Sequence, residues 1–210
     1  NHSCAHVMAQ AIKHLYPQAK FWVGPVVAEG FYYDVDLGDE VVSDEVIAKI
    51  EKEMKKICKD GKRIVRREIS KEEALEMFKD DEYKLDLISN LKDGTITCYS
   101  QGDFTDLCRG PHVETVKMCK NFKLIKHSGA YWKGDKNNKV LQRIYGVCFP
   151  TAEELEEHLN LLEEEGLIER NGYFDSTGGR KAHAIQIVSD FKISIGIGIL
   201  KNMFHIIVID

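Results

Sequence analysis

The apolar stretches of this 210-residue chain come as strand-length runs joined by very short connections. Phe21 to Val27 and Phe31 to Leu37 lie three residues apart, and Phe122 to His127, Ala130 to Lys133 and Val140 to Cys148 are separated by two and by six. A parallel pair needs a crossover of about a dozen residues or more, so these runs predict antiparallel neighbours. Asp135 to Asn138 supplies turn chemistry for the last connection. Arg63 to Ile69 and Thr95 to Ser100 also read as strands, and Gln101 to His112, with Gly102, Gly110 and Pro111, as loop.

Helical periodicity fills the gaps. His2 to Tyr16 places Ala5, Met8, Ala9, Ile12 and Leu15 at helical spacing, and Pro17 ends it. Ser43 opens a helix with Val46, Ile50, Met54 and Ile57 on one stripe, closed by Gly61. Ser70 with Glu73 is a capping box for a helix to Phe78; a further short helix runs from Glu82 to Leu91. Pro150 and Thr151, with Glu154, start a glutamate-rich helix that Gly166 ends, its carboxylates forming a solvated face. The class that follows is α+β, a mostly antiparallel sheet packed with helices. Residues 1–165 read as one domain. Residues 166–210 read as an appendage, glycine-rich at Asn171-Gly172 and Gly178-Gly179, then apolar and β-branched from Ala184 to Ile209, enough for two or three strands.

The net charge of −5 does not mark the whole molecule as a nucleic-acid binder, but the charge is uneven. From Thr115 to Tyr145 eight basic residues (Lys117, Lys120, Lys123, Lys126, Lys133, Lys136, Lys139, Arg143) face one acid, Asp135, which makes the segment +7. It is a candidate for contact with a polyphosphate backbone, or simply the solvated outer face of strands. Six scattered cysteines without a CxxC pair predict reduced thiols. With no signal peptide and no long apolar span, the expectation is a cytoplasmic protein with no membrane partner. The first residue, Asn1, is not a methionine, which predicts a piece of something longer.

Two short motifs carry the chemistry. In His2-Ser-Cys-Ala-His6 the imidazoles are one helical turn apart and share a face. In Cys108-Arg-Gly-Pro-His112, Gly110-Pro111 forbids regular helix and sets the pair on a turn. Three imidazoles and a thiolate suit a tetrahedral zinc site, although four protein ligands would close the shell as in structural sites. Without metal, a histidine can serve as a base toward water. Both readings stay open. A metalloprotease is excluded, because Ser3 stands where that motif requires glutamate.

Four segments, His2-Ser-Cys-Ala-His6, Gly24-Pro25 followed by Gly30-Phe-Tyr-Tyr-Asp34, Asp106-Leu-Cys-Arg-Gly-Pro-His112 and Gly129-Ala-Tyr-Trp-Lys-Gly-Asp135, continued by Gln142-Arg-Ile-Tyr-Gly146, resemble the second N-terminal domain of threonyl-tRNA synthetases. The likeness covers about residues 1–165. It implies an aminoacyl-tRNA ester hydrolase that removes serine from the 3′ end of mischarged tRNA(Thr), working beside the aminoacylation and anticodon-binding domains of a threonine-tRNA ligase. It implies a pocket built from His2, His6, Cys108, His112, Asp106, Tyr33 and Lys84. In that pocket His2 is expected as general base, Lys84 as stabiliser of negative charge, and Asp106 and Cys108 as holders of serine or water. His6 and His112 would orient their neighbours, and Tyr33 and Arg109 would bind substrate. Tyr131 and Trp132 are candidates to stack on the terminal adenosine, or for the core. The likeness also places an aminoacylation core after this region; residues 166–210 do not resemble one, so this chain alone is not expected to charge tRNA. Two other readings remain: a non-catalytic tRNA-binding module with a decayed site, and a free-standing editor of the alanyl type.

Overall fold

A computed structural model describes the chain except residues 93, 95, 174–182, 188–193, 201–202 and 210, with side chains described up to residue 169. It divides into two compact units, Asn1–Leu155 and Glu156–Asp210.

The first unit is built on α1 (His2–Leu15), buried on all sides from Ser3 to Ile12. Its small residues Ser3, Cys4, Ala5, Ala9 and Ala11 let neighbouring backbone come close, while Met8 and Ile12 fill the space between. Against it packs α2 (Asp44–Asp60). Ser43 caps that helix through the Val46 amide, and Gly61, at φ +68°, ends it in the left-handed region open to glycine. The apolar stripe of α2 is Val46, Ile50, Met54 and Ile57, all buried.

The main sheet has the order β1–β3–β8–β7, all antiparallel, with β1 (Lys20–Phe21), β3 (Gly30–Asp36), β7 (Phe122–Tyr131) and β8 (Val140–Cys148); the two-residue β2 (Val26–Val27) also pairs with β3. A second sheet, β4–β5–β6, joins β4 (Ile64–Ile69), β5 (Ile96–Gln101) and β6 (Phe104–Leu107), again antiparallel. Between β4 and β5 lie α3 (Lys71–Met77) and α4 (Glu82–Ser89). These elements bear out the α+β, antiparallel expectation. Thr95, which the sequence gives to the fifth strand, lies outside the described residues.

Three local expectations need correction. Gln101 to His112 is not all loop: β6 lies within it, paired to β5 through a turn at Gly102-Asp103, where Gly102 has φ +58°. Phe122 to His127 and Ala130 to Lys133 are not two strands, because β7 runs through Ser128-Gly129 to Tyr131, bent by a bulge between Leu124 and Lys126. Gly129 sits close to the neighbouring strand: a Cβ on it would lie 3.1 Å from Val140 Cγ1. And Trp132 to Gly134 is a single 3-10 turn rather than strand, with Lys133 at φ +56°.

The helix α5 (Ala152–Glu164) starts with the expected reciprocal cap of Thr151 and Glu154. Beyond it, β9 (Ile168–Tyr173) pairs with β10 (His183–Ile187), and β11 (Ser194–Leu200) with β12 (Met203–Ile209), both antiparallel. Gly178-Gly179 lies outside the described residues. No helix among the described residues is long and apolar enough to cross a membrane.

Candidate active site

The N-terminus of α1 is anchored from outside the helix. Asn1 makes no side-chain cap; its Oδ1 instead accepts the Cys148 amide at 2.8 Å, tying the first turn to the end of β8. That fixes His2 and His6. Cys108 follows β6 directly, and its backbone is clamped to β5: its amide donates to the Thr97 carbonyl at 3.1 Å, and the Thr97 hydroxyl donates to its carbonyl at 2.7 Å. The turn back to His112 requires Gly110, at φ +73°, where a Cβ would lie 2.1 Å from the Tyr99 hydroxyl oxygen.

The two motifs meet. One donor atom from each of His2, His6, Cys108 and His112 lies within 4.8 Å of every other. Cys108 Sγ is 3.2 Å from His2 Nε2 and 3.1 Å from His112 Nε2, and accepts the Gly110 amide at 3.2 Å. The His112 ring centroid lies 4.3 Å from that of His6 and 4.4 Å from that of His2, with Tyr99 at 4.4 Å. Ser3 Oγ accepts the Val113 amide at 3.0 Å and meets His112 Nδ1 at 3.0 Å. The hydroxyl proton is then best used on Nδ1, which assigns the ring proton of His112 to Nε2, toward the sulfur.

Burial lowers the pKa of all three imidazoles. His6 falls to about 4 and His112 to about 3, so both are neutral near pH 7. His2 is lowered less, because a hydrogen bond to the Pro111 carbonyl opposes its desolvation. A carbonyl only accepts, so the His2 nitrogen facing it carries the proton and the other keeps a lone pair. Burial and the Asp106 charge raise the Cys108 thiol above its usual range.

A second cluster stands against the first. Lys84 and Asp106 are 3% and 2% exposed, with Nζ 2.6 Å from Oδ1. Lys84 also donates to the Tyr33 hydroxyl at 2.9 Å and to the Trp22 carbonyl at 3.1 Å, while Tyr33 donates to Asp106 Oδ2 and the Leu107 amide to Oδ1. Desolvation pushes Asp106 up, but Lys84, His6 and the Tyr33 hydroxyl outweigh it and hold the carboxyl below its usual range. His6 Nε2, 3.9 Å from Asp106 Oδ2, links the clusters. Lys84 gets there because Asp81 caps α4 and ties it to β1: Asp81 accepts from the Tyr83, Lys84 and Phe21 amides.

The expected pocket residues therefore come together, with two qualifications. All three protons of Lys84 already have acceptors, so in this arrangement it serves Asp106 and has none left for developing negative charge. Arg109 is exposed on the turn, not inside the cluster. Of the basic segment, Lys123, Lys133, Lys139 and Arg143 are paired with Glu51, Asp86, Asp36 and Asp34, so much of its formal charge is neutralised internally. Trp132 lies against Tyr83, with ring centroids 5.1 Å apart, whereas Tyr131 is 49% exposed. Ser3, Tyr99 and Asp81 are the positioning residues that sequence reasoning passed over. Asp81 had a signal, an Asx residue directly before a helical run.

Residues 96–145, which carry β5 through most of β8, match the family described as the threonyl and alanyl tRNA synthetase second additional domain. Threonine–tRNA ligases align over a longer stretch. That of Desulfatibacillum aliphaticivorans is 53% identical over 163 residues, covering 78% of this chain and 25% of the relative. Those of Finegoldia magna and Staphylococcus epidermidis are each 54% identical, over 166 and 164 residues, again 78% of this chain and 26% and 25% of the relatives. The chain thus spans about a quarter of the length of the curated relatives it matches. In residues 96–145 the chain carries a match to the second additional domain of threonyl and alanyl tRNA synthetases, and over 78% of its length it is similar to threonine–tRNA ligases.

Proposed function

We propose that this domain hydrolyses the ester of seryl-tRNA(Thr), the editing reaction of a threonine–tRNA ligase. The observation that carries the reading is the convergence of His2, His6, Cys108 and His112 on one point from two distant segments. His2, whose bond to Pro111 leaves a lone pair on the other ring nitrogen, acts as general base toward the attacking water once that water takes the place of the Cys108 contact. His112, held by Ser3, and Cys108 position that water. Asp106, kept ionised by Lys84 and Tyr33, orients His6 and sets the electrostatics behind the imidazoles. Arg109 is placed on the surface to take a phosphate near the tRNA 3′ end. The chemistry needs a second sieve, because one methyl group distinguishes threonine from serine by only about 1–3 kcal/mol in a binding pocket.

The quartet also fits zinc. Tetrahedral zinc at typical bond lengths sets its ligand atoms roughly 3.3–3.8 Å apart. The Cys108 contacts at 3.1 and 3.2 Å are close to that, the four donor atoms lie within 4.8 Å of one another, and His6 Nδ1 is buried with no hydrogen-bond partner among the described residues. His2, His6, Cys108 and His112 would hold the ion; with all four bound the shell would be closed as in a structural site, and Lewis-acid chemistry would require one of them to yield its place.

The test offers the folded protein seryl-tRNA(Thr) and threonyl-tRNA(Thr). Selective release of serine is expected, falling about 10²–10⁴-fold in His2→Ala. Serine left on the tRNA by folded wild-type protein overturns the proposal. Seryl-tRNA(Ala) in the same assay separates an alanyl-type editor. Metal content, and the melting temperature with and without a chelator, report on zinc independently of turnover.

A further inference from the structure

One group of nucleophilic side chains has no part in this chemistry. Cys4 sits on α1 between His2 and His6, Cys119 closes the 3-10 turn Val116–Cys119, and Cys148 ends β8. The three thiols form one cluster, each acting on the acidity of the other two. Cys4 and Cys119 are buried, and Cys148 is half-buried. Backbone pairing holds the chain just after Cys119 against Cys148: Phe122 is the register partner of Cys148, and the Phe149 amide donates to the Asn121 carbonyl at 2.9 Å. All six cysteines are free.

We propose that Cys148 and Cys119 are a peroxide-sensitive pair that closes to a disulfide, with Cys148 the attacked sulfur and Cys119 the resolving one. The assignment of roles follows from access, since a peroxide must reach the sulfur that attacks it, and of the three only Cys148 is open to solvent. Hydrogen bonds from Cys119 and Cys4 also hold the Cys148 thiol well below its ordinary range, whereas Cys119 rises to about 12 and keeps its proton. In the first step the Cys148 sulfur forms an S–O bond as the O–O bond breaks, and hydroxide leaves and becomes water with the proton Cys148 gave up. In the second, Cys119 sulfur attacks the sulfenic sulfur, the S–S bond forms, the S–O bond breaks, and hydroxide leaves with the Cys119 proton. Two thiols lose two electrons and one peroxide is reduced to two waters. Cys4 is fixed within α1, whereas Cys119 lies three residues before Phe122, the register partner of Cys148, so Cys119 is the partner.

The test treats the full chain with hydrogen peroxide, alkylates the remaining thiols and maps the peptides by mass spectrometry. A Cys119–Cys148 peptide pair two hydrogens lighter than its free-thiol components is expected, and a thiol reductant should reverse it. Cys108→Ser should retain the cross-link, which separates it from oxidation at the candidate active site. In Cys119→Ser the link should vanish and Cys148 should run on to sulfenic and sulfinic acid. Recovery of Cys148 fully alkylated after peroxide, or joined to Cys4, overturns the proposal. The wild-type map decides this alone, so an unstable variant does not blunt the test.

Discussion

Lys84→Met is the sharpest test of how the second cluster is held. Methionine keeps most of the length and bulk and removes the ammonium. At 2.6 Å and an effective dielectric of about 20, the attraction between Lys84 and Asp106 is roughly 6 kcal/mol, set against a desolvation cost of similar size for the two charges. The pair as a whole is thus near break-even. Removing one member is not, because Asp106, 2% exposed, keeps its desolvation cost and retains only the Leu107 amide and the Tyr33 hydroxyl as donors. The expected loss is about 3–5 kcal/mol. With a urea dependence of about 1–3 kcal/mol per molar, the unfolding midpoint should drop by roughly 1–5 M. Adding Asp106→Asn removes the orphaned charge, so the double variant should be more stable than Lys84→Met alone by over 1 kcal/mol. Urea titrations of the four proteins in the cycle measure both numbers. A single-variant loss under 1 kcal/mol, or a double variant no more stable than the single, refutes the closed ion pair.

Asp36 accepts from Tyr83, Lys139 and the Gly38 amide. Burial pushes its pKa up, but these donors outweigh it and the folded value lies below the usual carboxylate range. A depressed carboxyl adds stability that is complete above its unfolded pKa of about 4 and lost as pH falls through the folded value. Asp36→Asn should therefore cost about 1–3 kcal/mol at pH 7 and progressively less below pH 4; denaturation at pH 7 and pH 3 checks this, and a constant difference contradicts it. Gly110→Ala puts a Cβ 2.1 Å from Tyr99 Oη at φ +73°, so thermal melts should show a loss of about 2–4 kcal/mol together with release of His112 from Tyr99. Glu51, buried, accepts Lys123 Nζ at 2.9 Å and the Leu124 amide at 2.8 Å, so Glu51→Ala should cost about 2–4 kcal/mol by urea titration. Ser3→Ala strands the Val113 amide and frees the His112 ring; serine release should fall about 10–100-fold with substrate affinity little changed, and an unaltered turnover number would remove Ser3 from its positioning role.

What was legible in the sequence is what short-range spacing encodes. His2 with His6, and Cys108 with His112, are each four residues apart, and a helical turn or a Gly-Pro bend fixes such pairs locally. Ser43, Gly61, Ser70 and Thr151 likewise mark helix ends through their own side chains or φ angles. Lys84 was not legible in this way. On an eight-residue helix a lysine between tyrosine and leucine reads as solvated, and only Asp81, holding α4 onto β1, turns it toward an aspartate on another sheet. The hairpin of β5 and β6 was legible but overlooked. Gly102-Asp103 is a two-residue turn between runs of alternating burial, whereas the glycines and proline further on made the whole stretch look irregular. At Ser128-Gly129 the gap between two apolar runs is no break in the strand: β7 runs through it, with Gly129 close to Val140.

The placement of Lys84 bears on how the proposed reaction discriminates. Because Lys84 is spent on Asp106, the candidate site presents a balanced ion pair behind three neutral imidazoles and a protonated thiol. Such a surface offers lone pairs and no net positive charge, which suits the α-ammonium of an aminoacyl ester and the proton of an attacking water. Serine and threonine carry the same ammonium and the same hydroxyl, so none of these groups tells them apart. Selectivity is then left to shape alone, to the volume that one methyl must find among side chains held by Ser3, Tyr99 and Tyr33. Substitutions that unbalance the charge, such as Asp106→Asn, should therefore slow release of serine without admitting threonine. Those that loosen the walls, such as Tyr99→Ala, should let threonine in. A charge variant that lost selectivity while keeping its rate would contradict this division of labour.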